Sequence, residues 1–95
     1  MLSNIQLGKT DLQVSRMCYG TNMLGWMIDQ DRSNAILDRF ASLGGNFIDT
    51  ADIYSGGRSE EMLGRFMAET ASRDSLVIAT KSGFARGAES PSQGG

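Results

Sequence analysis

The chain has 95 residues, a hydrophobic content of 40%, a charged content of 21% and a formal net charge of -2, all within the range of an ordinary globular domain or a piece of one. Those values exclude a polybasic nucleic-acid binder, a collagen-like fibre and a disordered chain. With a single cysteine, Cys18, there is no internal disulfide. With no histidine the commonest metal ligand and the usual base for a nucleophilic hydroxyl or thiol are gone, so no metal site is expected.

The N-terminal stretch MLSNIQLGKTDLQVS lacks a charged leader followed by an apolar core, and no run reaches the ~20 apolar residues that span a bilayer. The expectation is a cytoplasmic protein that touches no membrane. Residues 1–15 read as a β-hairpin, because NIQL and LQVS alternate apolar and polar residues around GKTD, whose Gly8 and Asp11 suit a turn. RMCYG follows as a strand, with Cys18 expected as a small buried hydrophobe between Met17 and Tyr19.

After the loop TNMLGWMIDQ, the stretch DRSNAILDRFASLGG reads as an amphipathic helix. Asp31 is its expected cap, Ile36, Phe40 and Leu43 its buried side, and Gly44 with Gly45 its end. NFID reads as a short strand. Ser59 is the expected N-cap of EEMLGRFMAETA, where Glu60 and Glu61 suit the positive end of the helix and Met62 with Phe66, and Leu63 with Met67, pair one turn apart. LVIAT, Leu76 to Thr80, is a continuous aliphatic run of the kind buried on both faces of a sheet. Beyond Lys81 the composition turns to Gly, Ala and Ser, so residues 82–95 read as a loop or tail.

The strands begin near Arg16, Asn46 and Leu76, about 30 residues apart with a helix in each gap, which is the length of a βαβ unit. Residues 16–81 are therefore expected as βα units of a parallel α/β fold. Three parallel strands leave two open edges, the pattern of part of a larger sheet. Loops after parallel strands gather on one face, where sites are built. Three features fall there: GTNMLG, with Gly20 and Gly25; Asp49 with Tyr54; and Lys81. Singly, each has a plain structural reading as a flexible loop, a turn-bonding acid, a rim aromatic or a solvated lysine. Together they bring more, since neighbouring strands lie ~4.8 Å apart and an Asp49–Lys81 ion pair could form with Tyr54 over it. An ammonium beside a phenol stabilises the phenolate, and a carboxylate fixes the ammonium, which makes a tunable proton donor.

LGKTDLQVSRMCYGTNMLG, GGNFIDTADIYSGGRSEEMLGRFM and LVIATKSGF closely resemble the N-terminal part of the aldo-keto reductases, in order and spacing, from about Ile5 to Phe84. The resemblance implies an α/β architecture made of the first three βα units of a (β/α)8 barrel of roughly 250 residues, preceded by an N-terminal hairpin, with the barrel incomplete. It also implies NADPH-dependent reduction of an aldehyde or ketone. On that basis Tyr54 is the proton donor, Lys81 eases the phenol's ionisation and Asp49 orients Lys81. Gly20, Thr21, Asn22 and Asp49 approach the cofactor, while Trp26 and Tyr54 line the pocket of a small carbonyl substrate. The family's catalytic histidine has no counterpart here, and little or no activity is expected of these 95 residues alone. The alternative is a non-enzymatic interaction protein of the same fold, similar to the β subunits of potassium channels, or a piece that needs a partner.

Overall fold

The computed structural model describes residues 2–83; the expected tail from residue 84 onward lies outside the described residues. Strands β1 (Asn4–Gln6) and β2 (Gln13–Ser15) pair antiparallel, as the alternation predicts, with Ile5 opposite Val14. Gly8 takes a φ of 57° in the turn and the Thr10 hydroxyl donates to the Leu7 carbonyl at 2.6 Å. Asn46 ties the hairpin to the rest of the chain: its side-chain oxygen accepts from the Ser15 amide at 2.7 Å and its amide group donates to the Gln13 carbonyl at 2.8 Å.

Strands β3 (Cys18–Gly20), β4 (Phe47–Asp49) and β5 (Val77–Ala79) form a parallel sheet in that spatial order, with helices α1 (Gln30–Ser42) and α2 (Arg58–Thr70) in the two connections. The register sets Cys18 beside Phe47 and Val77, and Gly20 beside Asp49 and Ala79. Successive side chains of a strand point to opposite faces. Tyr19, Ile48 and Ile78 therefore share one face, and Cys18, Phe47, Asp49, Val77 and Ala79 share the other.

The first face carries the core. Leu24, Leu37, Ile48, Met62, Leu63, Phe66 and Leu76 are buried in one cluster, with Tyr19, Ile28, Phe40, Met67 and Ile78 packed against it. Each such side chain contributes about 1.5–3 kcal/mol by leaving water. Both helices lie on this face, so β5 is half-buried rather than enclosed on two sides as its sequence predicts. Cys18 departs from its expected burial for the same reason, standing exposed on the face turned away from the helices.

Helix α1 starts one residue after Asp29, not at Asp31. The Asp29 carboxylate accepts from the Arg32 amide at 2.9 Å, and Asp31 falls in the first turn. Two acids two residues apart leave this choice to the loop before them, whose Asp29 carbonyl also takes the Ser33 hydroxyl at 2.6 Å. The residues of α1 that are fully buried are Ser33 and Leu37. Ile36, Phe40 and Leu43 instead flank a hollow of about 400 Å³ beside Tyr19, whose ring lies 5.9 Å from that of Phe40. Gly45 makes this approach possible, because a Cβ there would stand 2.4 Å from the Phe40 ring.

Helix α2 is capped by Gly57 at φ 99° rather than by Ser59. Ser59 is completely buried, and its hydroxyl donates to the Thr21 carbonyl at 2.7 Å with the Thr50 hydroxyl 3.5 Å away. The side chain expected to close a helix end is spent on fastening α2 to the ends of β3 and β4.

Candidate active site

The carboxyl ends of the parallel strands meet at Asp49, the last residue of β4, and at Lys81, two residues past β5 and in phase with Val77 and Ala79. The Lys81 ammonium donates to Asp49 Oδ1 at 2.7 Å and to the Thr50 carbonyl at 2.8 Å. Backbone bonds from Thr50 to Ala79 at 2.7 Å and from Asp52 to Lys81 at 3.1 Å fix the two strand exits against each other. The ammonium lies 5.3 Å from the centre of the Tyr54 ring. Acid, cation and phenol, separated by up to 32 positions in the chain, thus come together.

An ammonium has three N–H donors, and Asp49 and Thr50 take two of them. The Lys81 pKa is raised above its ordinary 10.5, first by the hydrogen bond to Asp49, with smaller contributions from the charges of Asp49 and Tyr54 and from the Tyr54 hydroxyl, while desolvation opposes them. Half of the Lys81 side chain is open to solvent, so the pair adds little stability and acts mainly as a positioner. A lysine held above its unfolded value lends its stabilisation below that value and loses it as pH rises through the raised one. By NMR, the Lys81 side chain is expected to titrate above 10.5 and Asp49→Asn to bring its midpoint down; equal midpoints in the two proteins would contradict the pairing.

Tyr54 owes its place to an unusual turn. Ser55, Gly56 and Gly57 follow it with φ of 51°, 65° and 99°, three left-handed residues in succession before α2 begins. Only glycine adopts this region without cost, so Ser55 stores strain of order 1–3 kcal/mol in the segment that aims Tyr54. The Ser55 hydroxyl oxygen is buried without a hydrogen-bond partner among the described residues. A serine between a tyrosine and two glycines reads in sequence as a plain turn residue, and nothing there signals the strain.

Tyr54 and Lys81 line a hollow of about 340 Å³ together with Ala51, Asp52, Ile53 and Ser82. Small-molecule pockets begin near 300 Å³, so the space suits a compact substrate. Gly20 opens beside Asp49, and a Cβ on it would meet nothing within 4 Å. Asn22 is exposed nearby in sequence, but Thr21 is fully buried, its amide and hydroxyl both on the Asp49 carbonyl at 3.0 Å. Thr21 therefore positions β4 and offers no side chain to a ligand. Trp26, 71% exposed, lines a different hollow, which among the described residues shares no lining residue with the one at Tyr54. Cys18 shares the sheet face of Asp49, and its thiol is harder to ionise than usual, chiefly through desolvation and then the Asp49 charge, with Lys81 opposing.

Fold and site together define a parallel α/β protein with a carboxylate–ammonium–phenol cluster at the strand ends. The chain belongs to the aldo/keto reductase family, whose sequence model matches residues 16–94. It is 44% identical over 77 residues to norsolorinic acid reductase stcV of Emericella nidulans, covering 74% of this chain and 20% of that protein. It is 42% identical over 80 residues to an aryl-alcohol dehydrogenase [NADP(+)] of Phanerodontia chrysosporium, covering 84% and 20%. Among solved structures, the holo form of aldo-keto reductase AKR11C1 from Bacillus halodurans superposes with a TM-score of 0.78 at 30% identity, over 94% of this chain and 29% of that one. The chain thus spans about a fifth of the length of those two relatives. Among the described residues no helix is long and apolar enough to cross a membrane.

Proposed function

We propose that this chain supplies the proton-donating part of an NADPH-dependent reductase of aldehydes or ketones, with Tyr54 as the acid, Lys81 as its electrostatic support and Asp49 as the group that orients Lys81. The observation that carries the reading is the 2.7 Å Asp49–Lys81 contact with the Tyr54 ring 5.3 Å from the ammonium, at the rim of a hollow that Tyr54 and Lys81 line. A phenol gives up its proton readily only when the phenolate is stabilised, and Lys81 stays charged across the neutral range to do this. As a carbonyl carbon accepts hydride, its oxygen gathers negative charge and takes the Tyr54 proton; in the alcohol-oxidising direction the tyrosinate takes that proton back.

The residues fit the nicotinamide end of a dinucleotide. Space is open above Gly20, the Asp49 side chain is 39% exposed beside it, and Asn22 is exposed to solvent. Reduced nicotinamide supplies the hydride when bound. NADP appears in the name of the Phanerodontia chrysosporium relative, which favours the phosphorylated dinucleotide.

A segment graft tests this reading. Residues 2–83 are exchanged for the matching part of the Bacillus halodurans reductase, and oxidation of NADPH with benzaldehyde as acceptor is followed. Turnover within about tenfold of the parent reductase is expected, since the whole proton-donating cluster travels with the graft. A folded graft that binds NADPH and does not turn over would refute the assignment.

A further inference from the structure

A second hollow, of about 420 Å³, opens between the starts of α1 and α2 and shares no lining residue with the one at Tyr54. The loop after β3 builds it. Leu24 is fully buried and pairs with Ile28 across an isolated bridge, so the residues between them are thrown outward: Trp26 is 71% and Met27 68% exposed. Gly25 sits at φ 86°, where a Cβ would stand 2.7 Å from that of Arg58 and 3.4 Å from its Nε. The Arg58 stem is therefore laid along the loop and its guanidinium directed to the hollow's wall. Arg32 lines the same space from α1, as does Asp29.

Among the described residues neither guanidinium has an ion-pair or hydrogen-bond partner, since the ion pairs there are Arg65–Glu69 and Lys81–Asp49. Asp29 is engaged at its carboxylate by the Arg32 amide. Two arginines against one aspartate leave a single net positive charge, which matches a monoanion better than a phosphate. An unpaired guanidinium fork fits the two oxygens of a carboxylate, and the exposed indole and thioether beside it fit a flat apolar body.

We propose that this hollow binds an aromatic carboxylate, with Arg32 and Arg58 on the carboxylate and Trp26 against the ring. The site is independent of the reductase reading, and its test needs neither a nicotinamide nor turnover. Trp26 is the chain's single tryptophan, so its fluorescence reports on the hollow directly. The probe is benzoate, compared with acetate and with neutral benzyl alcohol at matched ionic strength.

A saturable fluorescence change with benzoate is expected, with acetate and benzyl alcohol both binding more weakly. Arg32→Gln and Arg58→Gln should each raise the benzoate dissociation constant about tenfold, the worth of a charge-assisted hydrogen bond, while Arg58→Lys loses less and benzyl alcohol responds to none of them. Because Arg58 also packs on Gly25, Arg32→Gln is the decisive variant. The proposal fails if benzyl alcohol binds as tightly as benzoate, if acetate does, or if Arg32→Gln leaves the benzoate curve unchanged.

Discussion

In the grafted reductase, Tyr54→Phe is expected to lower kcat for benzaldehyde by about a hundredfold to ten-thousandfold, the usual contribution of a positioned general acid. The phenyl ring keeps its place in the wall of the hollow, so KM for the aldehyde should stay within about threefold; the proton is needed in the transition state and hardly at all in the bound ground state. Lys81→Met removes the charge but leaves the hydroxyl. Its loss should be of similar size and should not add to that of Tyr54→Phe, because an ammonium 5.3 Å from the ring has no phenolate to stabilise once the hydroxyl is gone. Stopped-flow hydride transfer separates this from slow product release. A fully active Tyr54→Phe enzyme would mean that the proton comes from elsewhere, and additive losses in the double variant would mean that the two residues act apart.

That the three groups could meet was legible from two regularities, strand starts about 30 residues apart and neighbouring strands ~4.8 Å apart, whereas the shared sheet face of Asp49 and Lys81 came only with the register that sets Asp49 beside Ala79. Neither regularity reaches into loops. Trp26 and Tyr54 were expected around one pocket, yet the buried Leu24 and the left-handed Gly25 decide where Trp26 goes, and neither announces its conformation in the sequence. The caps failed for a related reason. Ser59 has the right chemistry for a helix start, but a serine hydroxyl serves equally well in tertiary contacts, and the choice rests on Gly57 adopting φ 99° one residue before the helix. Cys18 and β5 looked fully buried because an aliphatic run gives hydrophobicity and not the number of layers packed against it.

Phe66→Ala should cost about 3–5 kcal/mol of folding stability, the largest effect expected of any single change in the core. Phe66 is 2% exposed and lies on α2 among Leu24, Leu37, Ile48, Met62, Leu63 and Leu76, so its loss leaves a cavity bounded by both helices and the middle strand. Small domains hold only about 5–15 kcal/mol in total, so the variant sits close to unfolding in water. Ile36→Ala is the counterpart, since periodicity alone ranks Ile36 with the core of α1 although it borders the hollow beside Tyr19 and is half-buried. It should cost about 1 kcal/mol, near the average for point substitutions. Urea titrations of the far-UV ellipticity should therefore place the Phe66→Ala midpoint well below that of Ile36→Ala, by about 1–2 M for a denaturant slope of about 2 kcal/mol/M. Equal midpoints would mean that the flank beside Tyr19 is packed as tightly as the centre, and that the core has been drawn around the wrong side of α1.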